Sequence, residues 1–268
     1  MKGTTRRFAG TAAMLIAGAS SVPAAAEPAD AIRYPYVAAL SRVSAGDRVY
    51  FCAGTLVAPR WILTAAHCFQ STSGARIPTR GLSAVVGRDA VGRAEEAAQV
   101  PVDRVVLFPG YRQGTQANDL ALVRLADIAG PLVAEASGSE ERPAQAVALG
   151  FASFYEGALA ARALTSSGAP AAQASDRMRS AHVRFVDPSQ CSGPGRSDAG
   201  DTLCVTASRE AACVGDSGGP LIEETAEGPD RLLGVLSFGT GCAVAEPRIA
   251  YTRVAPYARW IAETVAGD

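Results

Sequence analysis

Short apolar runs separated by clusters of Gly, Pro, Asp and Ser dominate this chain. The runs VYFCAGTLV (49–57), WILTAA (61–66), LSAVVG (82–87), VDRVVLF (102–108) and LALVRL (120–125) predict β-strands. AVALGF (146–151), AHVRFV (181–186), PLIEE (220–224), LLGVLSFG (232–239) and IAYTRV (249–254) continue the series. Many short strands with frequent turn signals predict an all-β barrel or sandwich. One helix is expected, over PYARWIAETVAG at the C-terminus, with Pro256 in its first turn and Trp260, Ile261 and Val265 on one side. Residues 156–177, rich in Ala, Ser and Gly, read as a long surface loop.

The first 26 residues have a different pattern. Lys2, Arg6 and Arg7 precede an apolar stretch from about Ala9 to Ala19, and Ala24-Ala25-Ala26 follows. A positive start, a short apolar segment and small residues at the end predict an export signal over 1–26, with one mature domain over 27–268. The apolar stretch is short for a bilayer span. The pair in TRRF hints at twin-arginine export, although Phe8 follows one place early.

Composition narrows the function further. The chain has 268 residues, 48% of them hydrophobic, and a net charge of −1, which leaves no electrostatic footprint for nucleic acid or an anionic membrane. Frequent alanine points to a GC-rich bacterial source. Six cysteines (Cys52, Cys68, Cys191, Cys204, Cys213 and Cys242) lie beyond the signal. An even number in an exported chain predicts three disulfides, and spacing alone leaves all the pairings open. With no Cys-x-x-Cys pair and only two histidines, no metal site is expected.

The stretch ACVGDSGGP (212–220) sets a lone hydroxyl in a glycine-rich backbone. It reads either as a turn between strands or as a nucleophile, Ser217, with glycines shaping the chain around its target. Acyl transfer by serine also needs a base and donors for the oxyanion. His67, in TAAHC beside Cys68, is the candidate base; His182 lies in a run that alternates as an ordinary half-buried strand does. No histidine follows Ser217, which excludes the α/β-hydrolase order despite its Gly-x-Ser-x-Gly pattern. The remaining order is His, Asp, Ser, with Asp119 of ANDLALVRL in the middle.

CAGTLVAPRWILTAAHC, NDLALVRL, ACVGDSGGPL and VLSFGTGCA, in this order, resemble a trypsin/chymotrypsin-family serine protease from about Tyr34 onward. The resemblance implies two six-stranded antiparallel β-barrels with the active site between them and a C-terminal helix. It implies His67 as general base, Asp119 as its orienting carboxylate and Ser217 as nucleophile, with the N–H groups of Gly215 and Ser217 as oxyanion hole. Ser237, Phe238 and Gly239 correspond to the substrate-binding strand. The implied disulfides are Cys52–Cys68, Cys191–Cys204 and Cys213–Cys242. No cofactor is implied. The partners are polypeptide substrates and proteinaceous inhibitors, and the protein is expected to be a monomer, secreted or periplasmic.

Two departures from the family stand out. The Ile-Val-Gly-Gly start, whose ammonium pairs with the Asp before the nucleophile, is missing, so the partner of Asp216 is open. Ala211 and Ala212 stand at the floor of the specificity pocket, where tryptic members place an Asp. An apolar floor disfavours Lys and Arg at P1. The wall at EPRIAY is one residue longer than the family pattern, which leaves Arg248 (favouring acidic P1) and Ile249 (favouring small aliphatic P1) as alternatives. The reading is therefore a serine endopeptidase of non-tryptic preference. The rival is a protease-like binding protein that has lost catalysis.

Overall fold

The computed structural model describes residues 27–28, 31, 33–44, 47–71, 73–88, 98–115, 117–130, 134–136, 138–139, 141–151, 177–191, 200–207, 217–239 and 247–267. The expected signal, the third disulfide and nearly all of the expected 156–177 loop lie outside these residues. Strand β1 (Glu27–Pro28) is followed by β2 (Val37–Ser44), β3 (Asp47–Ala58), β4 (Trp61–Thr64), β5 (Leu82–Val86), β6 (Val100–Leu107) and β7 (Ala121–Leu125). The last six close into an antiparallel barrel in the order β2-β3-β4-β7-β6-β5. Closure leaves no sheet edge with unpaired backbone groups.

The second half holds β8 (Glu135–Ala136), β9 (Ala146–Gly150), β10 (Arg179–Val186), β11 (Thr202–Thr206), β12 (Pro220–Glu223), β13 (Arg231–Gly239) and β14 (Arg248–Arg253). Strand β9 pairs with both β10 and β12, so β9-β10-β11-β14-β13-β12 forms the second six-stranded antiparallel barrel. Strand β1 adds to β10, and β8 runs parallel to β13. The fold is the expected pair of barrels. The predicted strands all form, and β1, β2, β8 and β11 are additional.

All of β9 is buried because the barrels use its two faces. Ala146 and Ala148 pack inside the second barrel with Leu221, Leu233 and Tyr251. Val147 and Leu149 join Ile222, Leu232 and Val235 in the cluster that also holds the first barrel's Leu40, Ile62 and Leu122. The seam is therefore apolar, and each buried Leu or Val on it contributes about 1.5–3 kcal/mol. This is why the run reads as continuously apolar rather than alternating. Strand β10 does alternate, with Ala181 and Val183 buried and His182 exposed.

After β14, Pro256 sits in a 3₁₀ turn, Ala255–Tyr257, that leads into helix α1, Ala258–Ala266. Ile261 is buried, and Trp260 and Val265 pack against the core. Phe108, just past β6, meets Tyr257 and Trp260 edge-to-face, with centroids 4.9 and 5.2 Å away. The C-terminal segment thus leaves the second barrel and docks on the first. At the other end, Arg33 donates to Asp230 at 2.7 and 3.1 Å, and Tyr36 donates to the same carboxylate at 2.6 Å. This fastens the entry segment of the first barrel to the turn between β12 and β13.

Candidate active site at the barrel seam

His67 sits in a 3₁₀ turn, Ala66–Phe69, that follows directly from β4. The Cys52–Cys68 disulfide ties this turn to β3 across a Cα–Cα distance of 6.3 Å. Phe69 anchors it at 2% exposure. Asp119, just ahead of β7, is fully buried and is met by three donors. They are the His67 backbone N–H at 2.9 Å, His67 Nδ1 at 2.7 Å and the Ser237 hydroxyl at 2.5 Å. An ionised carboxylate only accepts, so Nδ1 carries the proton in this pairing and Nε2 is left as acceptor. His67 keeps 23% of its side chain exposed.

Asp119 is held by its neighbours. Asn118 has φ of 57°, and its carbonyl accepts from the Leu120 N–H at 2.8 Å, which makes a tight reversal around Asp119. Leu120 is fully buried and leads into β7. The reversal points the Asp119 side chain back across the seam rather than along the strand.

Ser217 lies on the other side of the seam. Its carbonyl accepts from the Ala53 N–H of β3 at 2.8 Å. Gly218 donates to Leu236 O at 2.8 Å, and Leu236 donates to Gly219 O at 2.9 Å, which locks the loop to β13. Gly218 has φ of +84°, and a Cβ there would lie 2.1 Å from Thr64 Oγ1 and 2.4 Å from Ala53 O. Only glycine fits, because the loop rests directly on the strand end that leads to His67. Cys68 Sγ lies 4.0 Å from His67 Nε2 and 3.9 Å from Ser217 O. A disulfide sulfur carries no proton, so these are packing contacts, and the imidazole and the Ser217 carbonyl both border this one sulfur.

Burial alone would lower the His67 pKa, but the charge of Asp119 and its hydrogen bond more than offset it, so the pKa is raised above 6.5. Cys52, His67 and Cys68 bring their ligand atoms within 4.8 Å of one another. The disulfide consumes both thiolates, so this cluster offers a metal only one imidazole.

The other predicted residues divide into three groups. Gly215, Ala211, Ala212, Cys213, Asp216 and Cys242 lie outside the described residues. Ser237, Phe238 and Gly239 form the end of β13. Ser237, expected only to bind substrate backbone, turns its hydroxyl onto Asp119, and Phe238 packs with Ala250 against the Cys191–Cys204 disulfide. Arg248 directs its guanidinium to Gln190 Oε1 at 2.9 Å and Thr206 Oγ1 at 3.1 Å. Ile249 is buried with Leu203, Val205, Leu236 and Tyr251 inside the second barrel.

Two closed barrels that meet at a buried aspartate paired with a part-exposed histidine, with a serine followed by two glycines, define the double-barrel serine protease domain. The Trypsin family model matches residues 25–261, and the chain belongs to that family. It is 34% identical over 255 residues to coagulation factor XII of Bos taurus, covering 87% of this chain and 38% of that protein. It is 30% identical over 252 residues to tissue-type plasminogen activator of Homo sapiens, covering 88% and 43%. The chain thus spans about two-fifths of the length of these relatives.

Proposed function

We propose that this protein is an active endopeptidase in which His67, Asp119 and Ser217 are the catalytic triad. The observation that carries the reading is the His67 Nδ1 to Asp119 contact of 2.7 Å, delivered beside the loop that bears Ser217. In this scheme Nε2 of His67 takes the Ser217 proton as Oγ attacks the scissile carbonyl carbon. The tetrahedral oxyanion is received by the N–H groups of Gly215 and Ser217. The imidazolium then protonates the leaving amine, and water hydrolyses the acyl-enzyme by the same steps with His67 again as base. Asp119 stabilises the imidazolium that forms and keeps Nδ1 protonated.

The substrates are polypeptides cleaved after uncharged residues, since Ala211 and Ala212 supply no carboxylate for a buried cation. The engagement of Arg248 by Gln190 and Thr206 supports this reading over an acidic preference. Proteinaceous inhibitors that present such a residue fit the same cleft. The first 26 residues act as an export signal, and the mature domain, 27–268, works as a monomer outside the cytoplasm with a third disulfide between Cys213 and Cys242. A bacterial origin rests on the alanine content, whereas the relatives named above are mammalian.

The test is labelling by a fluorophosphonate probe, with the modified peptide mapped. Attachment at Ser217, lost in Ser217→Ala together with peptide hydrolysis, supports the reading. A folded protein that neither labels nor hydrolyses is the inactive binding protein instead. Loss of the triad serine lowers kcat by about a million-fold in such enzymes.

A further inference from the structure

One residue before Asp119, three separate parts of the chain converge. Asn118 adopts a left-handed backbone (φ 57°), a region uncommon for residues with a Cβ and tolerated best by Asn and Asp. Its side chain is held at both ends. Nδ2 donates to Gly110 O at 2.9 Å, and Oδ1 accepts from the Tyr257 hydroxyl at 2.7 Å. The same hydroxyl lies 2.9 Å from Asp201 Oδ2, and that oxygen also accepts from the Asn118 backbone N–H at 3.2 Å. A phenol has one proton, and both neighbours are acceptors, so Tyr257 shares it between them. Asp201 belongs to the turn before β11 in the second barrel, and its carbonyl accepts from Arg253 of β14 at 2.6 Å. Tyr257 opens the C-terminal segment, with its ring fixed edge-on to Phe108.

We infer that Tyr257 and Asp201 are positioning residues for the Asp119 carboxylate, acting through Asn118. Asn118 is continuous with Asp119, and its conformation sets the reversal that turns the carboxylate towards His67. The conformation is disfavoured in isolation and is stabilised by donors and acceptors from elsewhere in the fold. Releasing Tyr257 frees the Asn118 amide to follow its own preference and lets the carboxylate drift. The C-terminal segment and the second barrel thereby share in aiming His67, which belongs to the first barrel. Besides His67, the titratable groups near Asp119 among the described residues are Tyr111 and, through Asn118, Asp201 and Tyr257. The inference rests on the triad reading above.

The experiment pairs Tyr257→Phe, which keeps the ring against Phe108, with Asn118→Gly, which accepts the positive φ without strain but loses both side-chain bonds. Each is assayed for kcat and KM, and the His67 ring is titrated by NMR. Misplacement of a catalytic group by an ångström costs up to about 100-fold, so kcat should fall by about 10-fold or more with KM little changed. The His67 pKa should move down towards 6.5 in both variants. A parental kcat and His67 pKa in either variant overturns the inference. Should Tyr257→Phe fold poorly, Asn118→Gly decides alone. Ser217→Ala, run in parallel, reports on the triad itself. If that variant still hydrolyses peptide, the triad reading falls, while the His67 titration still judges the positioning claim because it needs no turnover.

Discussion

The hydroxyl of Ser237 donates to Oδ2 of Asp119 over 2.5 Å, joining β13 of the second barrel to a residue that belongs to the first. The two are 118 positions apart in sequence. Ser237→Ala leaves a fully buried carboxylate short of one donor. Hydrogen bonds to charged groups are worth about 1.5–3 kcal/mol, so the variant should lose stability of that order and show a reduced kcat. Denaturant unfolding beside steady-state kinetics checks both. Unchanged values in each would show that the hydroxyl only borders the site.

The raised pKa of His67 has opposite consequences for stability and for activity. The folded state binds the imidazolium more tightly than the unfolded chain does, with its ordinary value of 6.5. The resulting stabilisation is fully present below that value and is lost as pH rises through the higher folded pKa. Hydrolysis needs the neutral ring and is gained over the same window. The acid limb of the kcat/KM profile should therefore have its midpoint above 6.5. A midpoint at or below the ordinary value would falsify the pairing. His182→Gln should leave the profile unchanged.

Gly218→Ala should be among the most damaging single substitutions in the protein. The new Cβ would lie 2.1 Å from Thr64 Oγ1 and 2.4 Å from the Ala53 carbonyl, at φ of +84°. Backbone strain and a clash with main chain together imply a loss of about 3 kcal/mol or more. A thermal melt and the secreted yield measure it; a variant as stable as the parent would show that the loop can move off β4.

Asp230 is 4% exposed and gathers Arg33, Tyr36 and the Thr225 N–H. Burial raises its pKa, but the bonds from Arg33 and Tyr36 outweigh this and hold it below the ordinary 3.8. Its stabilisation is present above 3.8 and is lost as pH falls through the lower folded value. Asp230→Asn should cost about 1–3 kcal/mol at neutral pH and much less in strong acid. Urea midpoints under the two conditions give the comparison, and an equal loss in both would mean that charge plays no part.

A P1 substrate library should show cleavage after uncharged residues, with Lys and Arg poor. An unpaired cation buried over Ala211 and Ala212 would carry an uncompensated desolvation cost of several kcal/mol. Preferred cleavage after Arg or Lys would overturn the pocket argument. A preference for Asp that disappears in Arg248→Ala would show that Arg248 leaves Gln190 and Thr206 to bind substrate.

The apolar runs located ten of the strands and the all-β class, because a pleated strand leaves a short local pattern, whereas the arrangement into two barrels was implied only by the family resemblance. The strands that were missed have physical reasons. β2 (Val37–Ser44) is built from Ala and Ser as well as Val and Leu, and both of its faces are buried through Leu40 and Ser41, which blurs the alternation. β11 (Thr202–Thr206) is short, and β1 and β8 are two-residue additions to barrels already closed. His67, Asp119 and Ser217 stand out as candidates by their order and surroundings, since the cysteine, the glycines and the following apolar strands lie in the same stretches of chain, and the structure pairs the first two. The sequence did not settle which of Arg248 and Ile249 enters the pocket, and the tertiary structure assigns Arg248 to Gln190 and Ile249 to the barrel interior. The role of Ser237 and the convergence of Tyr257, Asp201 and Asn118 were decided only by the fold. These contacts join residues 56 to 139 positions apart, and no local pattern encodes them. They exist only where two closed barrels and a docked C-terminal segment bring distant polar groups to one seam.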